Sequence, residues 1–224
     1  EEGFEVIDKS LGGLENCLYT QTVVPGKFEF CAGRHNEAFL TPGMVQFDAC
    51  AGNYIRKGFA YSGALQILKV IMDYDYLWNE IRVKGGAYGC MCGFSSTGDA
   101  YFVTYRDPKL YESYDVFKNA GTYIREFECS DRDMTKYIIG AISNIDVPMN
   151  ANAKGARSLA CHICGVTYEE KQQRRNELLN ATVEDIRSFG DLIDAFVDEN
   201  YKCVVGSESQ IKANEEMFGK VRQL

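Results

Sequence analysis

Residues 61–94 constrain the fold of this chain more than any other stretch, because they encode a long helix, a glycine pair and a strand without a break. Apolar residues recur at steps of three, four and seven and cover most of the helix circumference, which is typical of a buried helix. Ser62 is placed to cap the start of this helix. The apolar positions are Ala64, Leu65, Ile67, Leu68, Val70, Ile71, Met72, Tyr74, Leu77, Trp78 and Ile81.

Two cations and two glycines mark the end of this helix. Arg82 and Lys84 lie in its last turn, where the helix dipole favours positive charge. Gly85 is predicted to stop the helix in a left-handed conformation. From 87 to 94, large and small residues alternate with a period of two, which predicts a strand with one bulky and one small face. Glycines inside a strand often mark the close approach of another backbone or a ligand.

Turn, capping and periodicity signals predict the remaining elements. Strands are expected at 27–32, 44–51, 100–106 and 201–205, with a hairpin turn at 95–99. In the strand at 44–51, we expect Val45, Phe47 and Ala49 to point inward. Helices are expected at 108–127, 130–148, 152–165, 167–179 and 182–197, and a final one after Ser207; three of them open with capping boxes, Ser130 with Asp133, Thr167 with Glu170, and Thr182 with Asp185.

This order of elements predicts an α+β fold, in which hairpin-linked strands form a mainly antiparallel sheet and helices pack on one face. No change in composition divides the chain, so we expect a single domain over residues 1–224. The chain opens with two glutamates, without an initiator Met or a signal pattern, which agrees with a fragment of a longer protein.

Composition argues against several classes of protein. A net charge of −8 and a pI near 4.9 disfavour a nucleic-acid binder, which normally presents a basic face. No apolar run approaches the roughly 20 residues that span a bilayer, so we expect no membrane contact. Nine cysteines, an odd number spread among apolar positions, indicate reduced and mostly buried thiols in a cytosol-like compartment.

The run YSGALQILKVIMDYDYLWNEIRVKGGAYG at 61–89 resembles the C-terminal domain of the pitrilysin and insulin-degrading metallopeptidases, which carry an inverted zinc motif. It is most similar to their presequence-protease branch, and the segment RVKGGAYG is the specific part. The resemblance implies the LuxS/mitochondrial-processing-peptidase-like domain fold. In that family an Arg and a Tyr six positions apart bind the substrate backbone beside a zinc held by the N-terminal half. The matching residues are Arg82 and Tyr88, with Gly85 and Gly86 as the supporting loop.

The zinc motif of the family is H-x-x-E-H, and neither His35 nor His162 lies in such a motif. The resemblance therefore implies a substrate-side domain with no catalytic and no metal-binding residue of its own, inactive when isolated. Zinc would be the cofactor of the parent peptidase, bound by a missing N-terminal half. The implied partners are that half and short unstructured peptides. We expect a cytoplasmic location, or an organelle matrix in a eukaryote.

Simpler interpretations of these residues stay open. Arg82 would also neutralise the helix end, and Tyr88 would also suit a half-buried strand position. Gly85, Gly86 and Gly89 could serve the helix stop and tight packing, hold Tyr88 at an angle, or do both. The alternative function is a structural or assembly domain of a zinc-less relative.

A third interpretation is a thiol-based redox or metal module at Cys161 and Cys164, which are spaced to share a helix face. Tetrahedral zinc needs four ligands, and Cys90 and Cys92 would complete the set only if the fold brought them near. Small apolar fillers on buried elements are the competing interpretation. His35 in a polar loop is either solvated or functional.

Overall fold

The computed structural model describes residues 2–18, 26 and 36–224, which belong to two compact units, Glu1–Gly33 and Arg34–Leu224. In the first unit, helix α1 covers Glu2–Glu15. The predicted strand at 27–32 and His35 lie outside the described residues. The expectation of a single domain over the whole chain stays a prediction.

The second unit contains a mixed sheet. Its strands are β1 Glu37–Thr41, β2 Phe47–Asn53, β3 Gly89–Phe94, β4 Asp99–Tyr105, β5 Tyr201–Ser207 and β6 Lys220–Gln223. The spatial order is β3–β4–β2–β5–β1–β6. Neighbours from β3 to β5 pair antiparallel, whereas β1 runs parallel to both β5 and β6. The predicted α+β fold with a mainly antiparallel sheet is confirmed.

The helices of this unit follow the predicted order. Helix α2 covers Leu65–Ile71 and continues in two π-helical segments, Met72–Tyr76 and Trp78–Lys84. The others are α3 Tyr111–Arg125, α4 Asp131–Ile145, α5 Ala151–Ile163, α6 Tyr168–Leu179, α7 Val183–Ser188, α8 Gly190–Val197 and α9 Glu208–Ala213. None of the described helices combines the length and apolar character needed to cross a bilayer.

Local capping signals fix where several helices begin. Thr167 and Thr182 form complete capping boxes at the starts of α6 and α7, as predicted. Ser130 accepts a hydrogen bond from the Asp133 amide at the start of α4, and its hydroxyl donates to the Asp133 carboxylate at 2.7 Å. Helix α5 begins at Asn150, whose side chain accepts from the Ala153 amide at 2.9 Å.

The core lies between the sheet and the helices that cover one of its faces. Helices α2, α3 and α8 pack against β2 and β3. Phe102 on β4 lies at the centre, with its ring centroid 5.4 Å from that of Phe117 and 5.1 Å from that of Phe196. The burial of such rings drives the docking of α3 and α8 onto the sheet.

The inward face of β2 is the opposite of the predicted one. Phe47 is 42% exposed, and Val45 and Ala49 are only partly buried. Gln46 and Asp48 point into the core instead. The prediction was wrong because it assumed that polar residues face solvent, whereas Asp48 hydrogen-bonds within the core.

The two faces of β3 also differ in what covers them. Cys92 and Phe94 are buried on the helix side. On the opposite face, which the helices leave open, a Cβ at Gly93 would lie 2.5 Å from Cε1 of Tyr101. The small face of this strand therefore makes room for the ring of a neighbouring strand.

The predicted helix after Ser207 is present as α9, whereas the strand that follows it was not predicted. Helix α9 is short, and β6 follows it and joins the sheet edge beside β1. The four residues of β6 carry only one partly buried position, which gives no alternation for sequence analysis to detect.

Candidate functional site

The candidate site lies where α2 ends and β3 begins. The last seven residues of the helix, Trp78–Lys84, form π-helical turns, which often occur at functional sites. Gly85 keeps a right-handed conformation with φ −79°, so the predicted left-handed stop is wrong by one residue. Gly86 takes that conformation, with φ +88°. The amide of Ala87 then donates to the Ile81 carbonyl at 3.1 Å and turns the chain towards β3.

The structure brings Arg82 and Tyr88 together. The guanidinium carbon of Arg82 lies 5.7 Å from the centroid of the Tyr88 ring. It lies closer still, at 4.2 Å, to the ring centroid of Trp78, one turn earlier in the same helix. Among the described residues, no carboxylate forms an ion pair with Arg82. The guanidinium of Arg82 therefore contacts aromatic rings, and its positive charge stays available to a ligand.

Tyr88 stands on the open face of the sheet and is 65% exposed. Its amide donates to the Tyr105 carbonyl at 3.1 Å. The centroid of its ring lies 5.7 Å from that of the Tyr105 ring, and the centroid of the Tyr105 ring lies 5.3 Å from that of Phe47. Both pairs are arranged edge to face. The three rings, Phe47, Tyr105 and Tyr88, form what we call the aromatic row, and Arg82 lies at one end of it.

A buried polar cluster lies on the opposite side of the sheet, below the aromatic row. The Thr104 hydroxyl donates to Asp48 Oδ2 at 2.9 Å, and the Ser113 hydroxyl donates to Asp107 Oδ2 at 2.7 Å. Gln46 pairs with Asp107 through two backbone hydrogen bonds of 2.8 Å. We call Gln46, Asp48, Thr104, Asp107 and Ser113 the polar cluster.

Burial changes the acidity of the polar cluster. Loss of solvation raises the pKa of the Asp48 carboxyl from 3.8 to about 8; the charge of Asp107 adds to the rise and the Thr104 hydroxyl opposes it. Burial also raises the pKa of Asp107, against hydrogen bonds from the Lys109 amide and the Ser113 hydroxyl. Asp48 is therefore neutral in the folded protein at neutral pH.

The cysteines do not assemble into the site that was considered for them. The described cysteines are free thiols; Cys161 is partly buried on α5, Cys164 is exposed after it, and Cys90 and Cys92 lie on β3. Within the described residues, no group of three His, Cys, Asp or Glu side chains is placed to hold a metal ion. Burial raises the pKa of the Cys90 thiol to about 11, with Asp73 adding to the rise and Arg82 opposing it.

Sequence analysis missed three residues around Arg82 and Tyr88. Trp78 was placed in a buried stripe, yet it is 37% exposed and contacts Arg82. Its spacing of four residues from Arg82 was the available signal. Tyr105 comes from β4 and Phe47 from β2, and the strand register brings Tyr105 beside Tyr88 and Phe47 beside Tyr105.

Comparisons with known proteins agree with this fold and with the resemblance of residues 61–89. Residues 36–210 match the family described as the PreP C-terminal domain. Protein HypA of Clostridium perfringens is 42% identical over 198 residues, which cover 88% of this chain and 20% of that protein. Presequence protease 1, chloroplastic/mitochondrial, of Arabidopsis thaliana is 34% identical over 179 residues, which cover 80% of this chain and 17% of that protein.

Solved structures share the fold at low sequence identity. Pitrilysin superposes with a TM-score of 0.54 at 12% identity, over 75% of this chain and 19% of that chain. The peptidase M16 inactive domain from Pseudomonas fluorescens gives a TM-score of 0.55 at 16% identity, over 82% of this chain and 46% of that chain.

The present chain thus spans about a fifth of the length of the curated relatives it matches. The family match covers residues 36–210 and includes the whole segment from Arg82 to Tyr88. The chain belongs to the family described as the PreP C-terminal domain.

Proposed function

We propose that this domain forms the substrate side of a zinc peptidase that degrades short unstructured peptides, and that Arg82 and Tyr88 bind the peptide main chain. The observation that carries the proposal is the placement of the two groups. An Arg without an ionic partner among the described residues and a Tyr that is 65% exposed meet at the edge of an open sheet face.

The chemistry of the two side chains suits this role. A guanidinium offers five N–H donors in one plane, which match the carbonyl oxygens of an extended peptide. A phenol donates one hydrogen bond to a carbonyl or to a developing oxyanion. Either group accelerates cleavage only if it binds the transition state more tightly than the bound peptide. The loop of Gly85 and Gly86 sets the distance between the two groups by turning the chain at φ +88°.

Zinc would be supplied by another part of the parent protein. The described residues of this chain do not offer a ligand set for it. In the parent, this domain would contribute the chamber wall and peptide contacts, and its partner would be the zinc-bearing N-terminal half. A cytoplasmic or organelle-matrix location stays a prediction.

The alternative is a structural domain of a zinc-less relative. One solved neighbour is named an inactive domain, and such a name fits both roles. A purely structural domain has no need of a partly exposed Arg that lacks an ionic partner among the described residues.

The test is Arg82→Ala and, separately, Tyr88→Phe in the full-length parent protein. Loss of one hydrogen bond from a charged group costs roughly 1.5–3 kcal/mol, so we expect turnover of an unstructured peptide to fall by about 10- to 100-fold in Arg82→Ala. Zinc content should stay unchanged. Lys84→Ala is the matched control, because Lys84 is a cation of the same helix end that pairs with Glu80 at 2.7 Å. Unchanged turnover in both site variants would reject these residues as peptide ligands.

A further inference from the structure

We propose that Trp78 is a positioning residue of this site, which holds the Arg82 guanidinium flat and directs its N–H donors towards the peptide. This inference rests on the proposed function of Arg82. It adds a residue that the family resemblance did not supply.

The contact between the two side chains is close. The guanidinium carbon lies 4.2 Å above the Trp78 ring centroid, well inside the range of about 6 Å over which a cation is attracted to an aromatic face. The Tyr88 ring lies near the outer limit of that range, at 5.7 Å. Of the rings of Trp78 and Tyr88, the Trp78 ring therefore restrains the Arg82 guanidinium more strongly.

Other groups do not compete for Arg82 in the described part of the chain. The acid nearest in sequence, Glu80, is bound to Lys84 at 2.7 Å. The helix itself is fixed, because Leu77 and Ile81, on either side of Trp78 along the chain, are buried in the core. The indole thus presents a stationary face to a long side chain that would otherwise move freely.

Stacking leaves the useful part of the guanidinium free. A guanidinium stacked on an aromatic ring uses one face of its planar group, while its hydrogen-bond donors point outward in the plane. Holding this plane before the peptide arrives lowers the entropy lost on binding, which is the general advantage of preorganisation. The π-helical turns Trp78–Lys84 contain both partners, so the backbone distortion and the stack occur at the same place.

The chain contains one Trp, so its indole emission comes from Trp78 alone and responds to changes around this side chain. Replacing Arg82 with Ala should change the emission spectrum and the acrylamide quenching of Trp78 before any peptide is added. A spectrum and quenching constant equal to those of the wild type would overturn the stack itself.

Peptide binding gives the second test. The probe is a fluorescein-labelled synthetic peptide of the mitochondrial-presequence type, unstructured in water, and the assay is fluorescence anisotropy with the full-length parent protein, freed of zinc so that the peptide is not cleaved. A cation–π contact at a partly exposed position predicts that Trp78→Leu weakens binding by about two- to fivefold. Trp78→Phe, which keeps an aromatic face, should recover most of the affinity.

Tyr74→Leu is the matched control, because Tyr74 lies on the same helix and is 71% exposed. Its affinity should equal that of the wild type, and circular dichroism should show every variant folded. Equal binding by Trp78→Leu and the wild type, with loss in Arg82→Ala, would overturn the role of Trp78 and leave the proposed function intact. Equal binding by Arg82→Ala and the wild type would overturn the proposed function and this inference together.

Discussion

Replacing Asp48 with Asn should make the protein more stable at alkaline pH and leave it nearly unchanged in acid. Asp48 is 1% exposed, and its Oδ1 has no hydrogen-bond partner among the described residues. In the folded state its pKa is about 8, whereas the unfolded chain has an ordinary value near 3.8. Between these values the folded protein binds one more proton than the unfolded chain, so its stability falls as pH rises.

The magnitude follows from the difference between the two pKa values. At about 1.4 kcal/mol for each tenfold change in proton affinity, the rise from 3.8 to about 8 sets an upper limit of about 6 kcal/mol. Water entry and relaxation around the charge reduce this, so we expect about 3 kcal/mol. The stabilisation that the protonated Asp48 carboxyl gives to the folded state is complete below about pH 4, and it is lost as pH rises through about 8. Asn keeps the shape of the neutral acid and an oxygen for the Thr104 hydroxyl, but it cannot ionise.

The assay is urea unfolding followed by Trp78 emission at about pH 5 and about pH 9, with a reductant present. The difference in unfolding free energy between Asp48→Asn and the wild type should grow by about 2 kcal/mol from the lower to the higher pH, because the part of the loss between about pH 4 and 5 lies below this interval. Taking this difference removes the contribution of every group that does not interact with Asp48; the contribution of Asp107, whose charge acts on Asp48, stays in the difference. Asp115→Asn, at an exposed position of α3, should show no such growth. A difference that is flat with pH, or that shrinks, would refute a neutral buried Asp48.

Three further predictions concern the turn, the thiols and the core. Gly86→Ala forces a side chain into φ +88° and should cost about 1–2 kcal/mol of stability in urea. Gly89→Ala serves as its control, because the nearest atom to a new Cβ lies at 3.8 Å. Cys164 is exposed and should react quickly with a thiol reagent, whereas Cys92, whose pKa is raised by burial, should react only after unfolding. Phe102→Ala should lower the free energy of unfolding by about 3–5 kcal/mol, and a loss below about 1 kcal/mol would place the core elsewhere.

Local signals predicted most of the helices and strands β2 to β5, whereas β1 and β6 were not predicted. The capping boxes at Thr167 and Thr182 depend on residues three positions apart, and both are present in the structure. The long helix before Gly85 follows from its apolar period in the same way. Such features need no knowledge of distant parts of the chain, which is why sequence analysis could predict them.

The inward face of β2 was mispredicted because its partners are distant in sequence. Asp48 receives its hydrogen bond from Thr104, 56 residues later. Without that pairing, alternation alone favours Phe47 as the buried residue. The parallel pairing of β1 with β5 depends on the same kind of long-range register.

For the candidate site, sequence analysis identified Arg82 and Tyr88 from their spacing, and the structure showed which residues contact them. Arg82 and Tyr88 were expected to act together. The turn at Gly86 places the guanidinium carbon of Arg82 5.7 Å from the centroid of the Tyr88 ring. Trp78 was assigned to the core because the helix is apolar nearly all round. The contact between Trp78 and Arg82 required knowledge of which side of the helix meets solvent.

The polar cluster and the candidate site are joined through the backbone of Arg106. This residue has φ +51°, which is uncommon for a side chain of its size, and Asp107 after it pairs with Gln46. The amide of Tyr88 donates to the Tyr105 carbonyl at 3.1 Å and points at the Arg106 carbonyl at 3.4 Å. The buried pairing with Gln46 fixes the position of Asp107. It therefore also fixes the end of β4, where the carbonyls of Tyr105 and Arg106 face the amide of Tyr88. Asp48→Asn leaves this backbone pairing intact, so it should preserve peptide binding at neutral pH.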